Sequence, residues 1–236
     1  MAGLTTEILV TLPIWFVAFL FSSTCHEAAH ALVAKWGGDT TAYEGGQVSL
    51  DPLPHIRREP IGMVAVPLAS FFLQGGGWMI GWASAPYDPY WAARHPRRAA
   101  LMALAGPGAN LILVLIAALV MHIGFQAGFF VPTPSLSIES IIALPGGDAN
   151  WLTVFLSIVF SLNVFLLFFN LLPVPPLDGN GAMPLLLPER LGEKWRNLWG
   201  EGSMGIAGLL VAWLIFSRLA GPVWGLALNL VYPGLV

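Results

Sequence analysis

Two histidines four positions apart, with a glutamate between them, lie near the end of a long apolar segment. His26 and His30 belong to a His-Glu-Ala-Ala-His run that ends an apolar stretch from about residue 8 to residue 36. On a helix the two imidazoles are about 40° apart around the axis and about 6 Å apart along it, so both can face one ion. Glu27 is placed to hold a water that such an ion activates. The spacing predicts a helix that carries half of a zinc site.

The composition predicts that this helix lies in a membrane. Hydrophobic residues make up 56% of the 236 residues and charged residues only 10%, and the mean hydropathy is +0.74. Soluble domains carry about 25% charged residues, so we expect an integral membrane protein with a single domain over residues 1–236 and a core at 7–185. The net charge of −3 is too small to indicate a nucleic-acid partner.

Cysteine usage and the N-terminus exclude two further features. Cys25 is the only cysteine, which excludes an internal disulfide, and we interpret it as a small packed residue rather than a ligand. The first ten residues lack a basic region, and the apolar run after them carries the histidine motif. A cleaved signal peptide is therefore not expected.

The apolar segments predict an all-α polytopic membrane protein with about five to six transmembrane helices. Residues 8–36, 99–123 and 151–172 are each long enough to cross a hydrocarbon core of about 30 Å. Residues 203–217 and 222–232 are shorter and are joined by a tight turn. We expect these last two to form a C-terminal helical hairpin at about 203–235 or to cross only partly.

Two connections between these segments carry structure of their own. In residues 37–52 Thr, Tyr and Val surround a Gly-Gly pair, which predicts a small β-hairpin after the first helix, with an ordinary surface loop as the alternative. The uncharged run at 60–87 is interrupted by Pro67 and by the glycines at 75–77.

A catalytic zinc ion takes three protein ligands, so the two histidines need a third. Asp178 follows the uncharged run 149–177 and sits in a Pro-Val-Pro-Pro-Leu-Asp-Gly sequence that holds the backbone off a regular helix. Unwound backbone at membrane depth is tolerated where it lines a cavity. We therefore interpret Asp178 as a ligand of one Zn²⁺ rather than a solvated acid at a helix end.

The need for one shared ion restricts the membrane topology. If residues 60–83 crossed the membrane, the fourth apolar segment would deliver Asp178 to the face opposite the histidines. A re-entrant or non-crossing segment at 60–83 places Asp178 on the same face as the histidines. It also puts nine of the ten basic residues on one side of the membrane, with only Arg218 on the other. A straight crossing would divide them six against four. We therefore predict an outside N-terminus and an active site near the cytoplasm.

Five short motifs follow one another over residues 25 to about 180: HEAAH at 26–30, HIRREPIG at 55–62, GWA at 81–83, AGPGAN at 105–110 and NLLPVPPLDG at 170–179. Together they resemble the site-2 protease family of intramembrane zinc metalloproteases, in particular its compact prokaryotic branch without PDZ or CBS modules. The resemblance implies His26, His30 and Asp178 as zinc ligands and Glu27 as the catalytic base.

The same resemblance implies a substrate, partners and a location. The substrate would be a single-span membrane protein in the lipid bilayer, cut within or next to its transmembrane helix near the cytoplasmic face, after an upstream site-1-type protease has trimmed it. The location would be the inner membrane of a prokaryotic cell. One departure is visible: the family pattern His-Ile-Asp-Pro is replaced by HIRREP at 55–60, so a role for an acid at that point does not carry over.

Three polar residues are candidates for contact with the substrate. Asn110 and Asn170 are amide donors within apolar runs and could bind the oxyanion or the substrate backbone, with hydrogen bonding between helices as the alternative. His55 is either a donor in the site or an interfacial residue beside basic neighbours. The hairpin expected near residues 40–50 could hold the substrate extended by adding a strand to its edge.

Two other functions are compatible with a buried zinc site. One is a non-hydrolytic zinc-binding membrane chaperone or scaffold, which Glu27 argues against because zinc binding does not require it. The other is a metal or small-solute transporter, which the single ligand cluster and the lack of repeat architecture argue against.

Overall fold

The structure, a computed structural model, describes residues 2–198 and 205–234 of the chain. Its elements in chain order are α1 (Ala2–Gly37), α2 (Thr41–Glu44), α3 (Pro52–Arg58), a π-helical turn (Ile61–Ala65) that continues into α4 (Val66–Leu73), α5 (Pro89–Arg94), α6 (Pro96–Gln126), β1 (Val131–Ser137), β2 (Ser140–Ala143), α7 (Trp151–Asn170), α8 (Asp178–Ala182), a 3₁₀ turn (Met183–Leu185), α9 (Glu189–Leu198) and α10 (Gly205–Leu228).

Within the described residues four helices are long and apolar enough to cross a membrane. They are α1 from Ile8 onward, α6, α7 and α10. The prediction of an all-α polytopic membrane protein is confirmed, but the expected count of five to six spanning helices is too high. The single domain over residues 1–236 stays a prediction.

Three of the long helices, α1, α6 and α7, form the centre of the molecule and pack pairwise against one another. Large side chains fill the space between them, and Trp15, Phe19, Met121 and Phe160 are almost completely buried. α10 packs against α7 from outside this trio. The histidine motif therefore lies on a helix, α1, that packs against both α6 and α7.

The segment after α3 enters the molecule and returns. The helix at 61–73 is about 20 Å long, too short for a hydrocarbon core of about 30 Å. Gly75 and Gly76, at φ +70° and +88°, reverse the chain after it. The chain then returns to the beginning of this segment, where the Trp82 N–H donates to the Gly62 carbonyl at 3.1 Å. The prediction of a non-crossing segment at 60–83 is confirmed.

Two glycines make this return possible. A Cβ at Gly62 would lie 2.3 Å from the Trp82 carbonyl oxygen, and a Cβ at Gly81 would lie 2.4 Å from both the Gly62 carbonyl oxygen and the Phe19 ring. The two backbones can approach only because neither residue has a side chain.

Polar contacts tie the ends of the returning segment to the end of α1. The Asp39 carboxylate accepts hydrogen bonds from the N–H and hydroxyl of Thr41 and from the Asp88 N–H, at 2.6–2.9 Å. Burial raises the pKa of Asp39, but these hydrogen bonds outweigh it and leave the pKa below its usual value. Gln47 also donates to the Ser84 carbonyl at 3.1 Å. Residues 39–47 and 84–88 therefore lie on the same side of the bundle.

The β-hairpin predicted at 37–52 is wrong: this region holds α2 and α3. Asp51 caps α3, since its carboxylate accepts from the Leu53 N–H with Pro52 in the first helical turn, and the Asp39 carboxylate holds the chain before α2 by accepting from the Thr41 N–H. The described chain has its antiparallel hairpin, β1 with β2, in the connection between α6 and α7.

The C-terminal helical hairpin predicted at about 203–235 is also wrong. α10 runs without interruption through the expected turn, and Pro222 lies inside it. Proline is tolerated within membrane helices because neighbouring groups satisfy the backbone that it frees. Residues 203, 204 and 235 of that prediction lie outside the described residues.

Candidate metal centre

The structure brings His26, His30 and Asp178 together. The two Nε2 atoms are 3.0 Å apart, and Asp178 Oδ2 lies 3.1 Å from His26 Nε2 and 3.4 Å from His30 Nε2. Both histidines are 7% exposed. Among the described residues this is the one group of three His, Cys, Asp or Glu side chains close enough to hold a metal ion, and Cys25 is not part of it.

The other nitrogen of each imidazole is already occupied. His30 Nδ1 is 2.7 Å from the Met102 carbonyl oxygen, which can only accept, so the proton is on Nδ1. His26 Nδ1 is 2.6 Å from Asn110 Oδ1 and donates to it. In the neutral imidazoles each Nε2 then carries a lone pair, and the two Nε2 atoms lie 3.0 Å apart beside a carboxylate oxygen.

One face of α6 lies against both histidines. Met102, Gly106 and Asn110 are spaced by four residues, so they lie in a row along that helix. α1 presents His30 and His26 with the same spacing in the opposite direction, so His30 meets Met102 and His26 meets Asn110.

Gly106, between them, is the residue that leaves room for a ligand. A Cβ at this position would lie 2.3 Å from His30 Nε2 and 2.4 Å from His26 Nε2. Any side chain there would occupy the space that both lone pairs face. The glycine keeps this space open while the helices remain in contact.

Asp178 reaches the site from the first residue of α8, immediately after the proline-rich connection. Gly179 allows the chain to turn back against the end of α7, since a Cβ there would lie 2.3 Å from the Leu171 carbonyl oxygen. Asp178 Oδ2 is buried and accepts no hydrogen bond of normal geometry in the described structure. A buried carboxylate oxygen without a donor is costly unless a cation satisfies it.

These observations fit a zinc ion. Zinc bound tetrahedrally at about 2.0–2.1 Å from each ligand atom separates neighbouring ligand atoms by about 3.3 Å, and the three separations here are 3.0, 3.1 and 3.4 Å. Two imidazole lone pairs and one carboxylate are a donor set that catalytic zinc uses. The three residues can therefore hold Zn²⁺ with one position left for water or substrate.

Glu27 lies beside the ligands in the chain. The residue is 6% exposed, and no described group hydrogen-bonds to its carboxylate. It follows His26 directly on α1, so it turns to a different direction from both histidines. The position is suited to a base that acts on a water at the ion.

The three candidates for substrate contact have different surroundings. Asn110 is fully buried, and its amide oxygen and nitrogen are both bonded within the protein, to His26 and to Asn163. The structure thus supports the alternative of hydrogen bonding between helices and not the oxyanion role. Asn170 donates to the Leu166 carbonyl at 3.0 Å, and its contact with substrate stays a prediction.

His55 is buried, at 1% exposure, and its Nε2 donates to the Ser49 carbonyl at 3.0 Å. It is therefore not an exposed interfacial residue. It lies outside the group of three ligands, and its role as a site donor also stays a prediction.

The sequence did not reveal the part played by Gly106. Its signal is present in the AGPGAN run at 105–110, but a glycine in a membrane helix is ordinarily read as a packing residue. Only the register of α6 against α1 places it at the two Nε2 atoms.

Comparison with known proteins gives consistent matches. The sequence profile described as "Peptidase family M50" matches residues 14–212. The chain is 34% identical over 180 residues to "Putative zinc metalloprotease YwhC" of Bacillus subtilis, a match that covers 75% of this chain and 70% of that protein. It is 31% identical over 172 residues to "Putative zinc metalloprotease Rip2" of Mycolicibacterium smegmatis, covering 72% of this chain. The chain spans 56% of the length of that Rip2. No solved structure matches it.

Replacing Gly106 by Ala is expected to weaken zinc binding by at least about tenfold, because the new methyl group would lie against both Nε2 atoms. Gly108→Ala in the same helix is the matched control, since a Cβ there meets no atom within 4 Å. The measurement is zinc affinity in detergent by competition with a chromophoric chelator. Equal affinities for the two variants would contradict the assignment of this space to the ion.

Proposed function

The chain belongs to peptidase family M50, the site-2 type of zinc metalloprotease, and from this membership we propose that it hydrolyses peptide bonds within or next to transmembrane helices of membrane-protein substrates. The enzyme is a zinc metalloprotease with Zn²⁺ as its cofactor. The observation that carries the finer proposal is the ligand cluster itself, which is buried among helices that are long and apolar enough to span a membrane.

In this proposal His26, His30 and Asp178 hold the ion, and Glu27 is the catalytic base. Zn²⁺ supplies Lewis acidity and lowers the pKa of a water to about 7. Glu27 accepts the proton of the attacking water and returns it to the leaving amine as the peptide bond breaks. The single carboxylate among the ligands leaves the site with a net positive charge, which favours the oxyanion that develops on the substrate carbonyl.

A substrate helix must be unwound before its carbonyl can reach the ion. The edge strand that we expected near residues 40–50 does not exist, but residues 78–88 form neither helix nor turn. Gly81 in this stretch lies against Phe19, seven residues before His26 on α1, or about 10 Å along the helix. The stretch is therefore close enough to guide a substrate toward the metal ligands.

One edge of this stretch is free. The Ile80 N–H and Trp82 N–H are bonded to Ser70 and to Gly62, and the Ser84 carbonyl accepts from Gln47. Because the residues with partners alternate along the chain, as in an extended segment, we infer that the backbone groups of Gly81 and Ala83 face the other edge. Within the described chain their backbone groups have no hydrogen-bond partner. We propose that an unwound substrate pairs with this edge.

The resemblance to site-2 proteases supports our proposal for the partners and the orientation. The substrate is a single-span protein in the lipid bilayer, and an upstream site-1-type protease trims it so that it can enter the site. The excess of basic residues at the end of the bundle that carries the metal ligands supports a cytoplasmic active site in a prokaryotic inner membrane.

Glu27→Gln is expected to retain zinc and to lose cleavage by about 10²-fold or more, because the ligands remain while the base is removed. The assay incubates the purified chain in detergent with a panel of single-span substrates, full-length and trimmed, with and without chelator. Glu44→Gln removes an exposed carboxylate on α2 and should leave cleavage unchanged. A Glu27→Gln chain that cleaves normally, or a wild-type chain that transports metal instead, would refute the protease.

Ala83→Pro is expected to reduce cleavage of the substrate by about tenfold while zinc affinity stays at the wild-type value, because proline removes a free edge N–H. Ala83→Val is the matched control, since it adds bulk but keeps the N–H. If both variants lose cleavage equally, side-chain bulk and not backbone pairing explains the effect, and strand addition at this edge fails.

Reporter fusions after residues 45 and 90 are expected to place both positions on the cytoplasmic face. Contacts of Asp39 and Gln47 with residues 84–88 require a common side, and the distribution of basic residues selects the inner one. Finding either fusion on the outer face would contradict the proposed orientation.

A further inference from the structure

A chain of buried amides links three helices behind the metal ligands. His26 on α1 contacts Asn110 on α6, and Asn110 Nδ2 donates to Asn163 Oδ1 on α7 at 2.7 Å. Asn163 Nδ2 then donates to Ser22 Oγ on α1 and to the Val159 carbonyl, both at 2.8 Å. Ser22, Asn110 and Asn163 are each 0% exposed. The mechanism of hydrolysis does not use these groups directly.

The Val159 carbonyl fixes the direction of every bond in this chain. A backbone carbonyl oxygen can only accept, so the Asn163 nitrogen must point toward it. The Asn163 oxygen then faces Asn110 and must receive the Asn110 nitrogen. That leaves the Asn110 oxygen toward His26, whose Nδ1 must therefore carry the proton. No member can be turned around without placing two donors or two acceptors in contact.

We propose that Asn163 and Asn110 are positioning residues for the metal site, which set the His26 tautomer through this amide relay and so keep the Nε2 lone pair directed at the zinc ion. The inference rests on the proposed metal site but extends it to a residue on α7 that does not touch His26. The two histidine ligands differ in how their tautomers are set. His30 takes its tautomer directly from the Met102 carbonyl, whereas His26 depends on two side chains whose amides could otherwise turn.

The relay matters because an amide has a donor end and an acceptor end of nearly the same shape. Without the Asn163 oxygen, the Asn110 amide could rotate and present its nitrogen to His26. The imidazole would then have to accept at Nδ1 and carry its proton on Nε2, where zinc must bind. Removal of a group that orients a ligand histidine costs about 10–100-fold in metal affinity.

The test compares zinc affinities of full-length chains in detergent by competition with a chelator. Asn163→Leu keeps the side-chain size but removes the anchor, and we expect zinc affinity to fall about 10–100-fold. Adding Asn110→Asp in the Asn163→Leu background should restore most of it. A carboxylate has only acceptor oxygens, so it can face His26 correctly without an anchor.

Ser157→Ala is the matched control on the same helix. Ser157 is fully buried, accepts from the Ile141 N–H at 2.9 Å and has no contact with the relay. Its loss should lower thermal stability and leave zinc affinity unchanged. An Asn163→Leu chain that is folded and binds zinc as tightly as wild type would overturn the inference, as would a failure of Asn110→Asp to restore binding.

A second measurement reads the tautomer directly in the wild-type chain. In the wild-type chain labelled with ¹⁵N-histidine, NMR should show the His26 proton on Nδ1 both without metal and with zinc, with His26→Gln used to assign the signal. A His26 Nδ1 that carries no proton in the metal-free protein would overturn the relay even if zinc binds. A wild-type chain that binds no zinc would instead refute the proposed metal site on which the relay rests.

Discussion

Three atoms with lone pairs meet at one point inside an apolar bundle, and the rest of the structure depends on this encounter. The two Nε2 atoms of His26 and His30 and the Oδ2 atom of Asp178 lie 3.0–3.4 Å apart, and both histidines and this oxygen are buried. Such a cluster repels itself unless a cation lies within it. The ion that the family uses is therefore also a link that holds α1 to the start of α8.

Glycines let these segments approach one another closely, because they carry no side chain. Gly106 opens the space at the two imidazoles, Gly179 lets α8 turn against the end of α7, and Gly62 with Gly81 lets the re-entrant segment close on itself. In lipid, helix association relies on close packing and on polar contacts, because apolar surface gains little from leaving an apolar solvent. The same rule accounts for the buried amides between α1, α6 and α7, which satisfy one another while they orient a ligand.

Corrections to the predicted fold have two physical origins. The Thr, Tyr and Val pattern at 37–52 favoured strands, yet this region holds two short helices, and the Asp51 carboxylate caps the second of them. A tight turn was expected between the apolar segments 203–217 and 222–232, but a single helix runs through that position. A membrane penalises every helix end that exposes backbone to lipid, which favours the continuous helix.

The sequence by itself determined the class of protein, the zinc ligands as candidates, and the non-crossing segment. Each of these follows from spacing, from hydropathy, or from the requirement that Asp178 reach the same depth as His26 and His30. Only the tertiary structure decided which residues stand behind the ligands. Gly106, Asn110 and Asn163 look alike in sequence to ordinary packing or helix-joining residues, and their roles depend on the register of α6 against α1 and of α7 against α6. That register is set by packing between helices distant in the chain, which no local pattern of residues encodes.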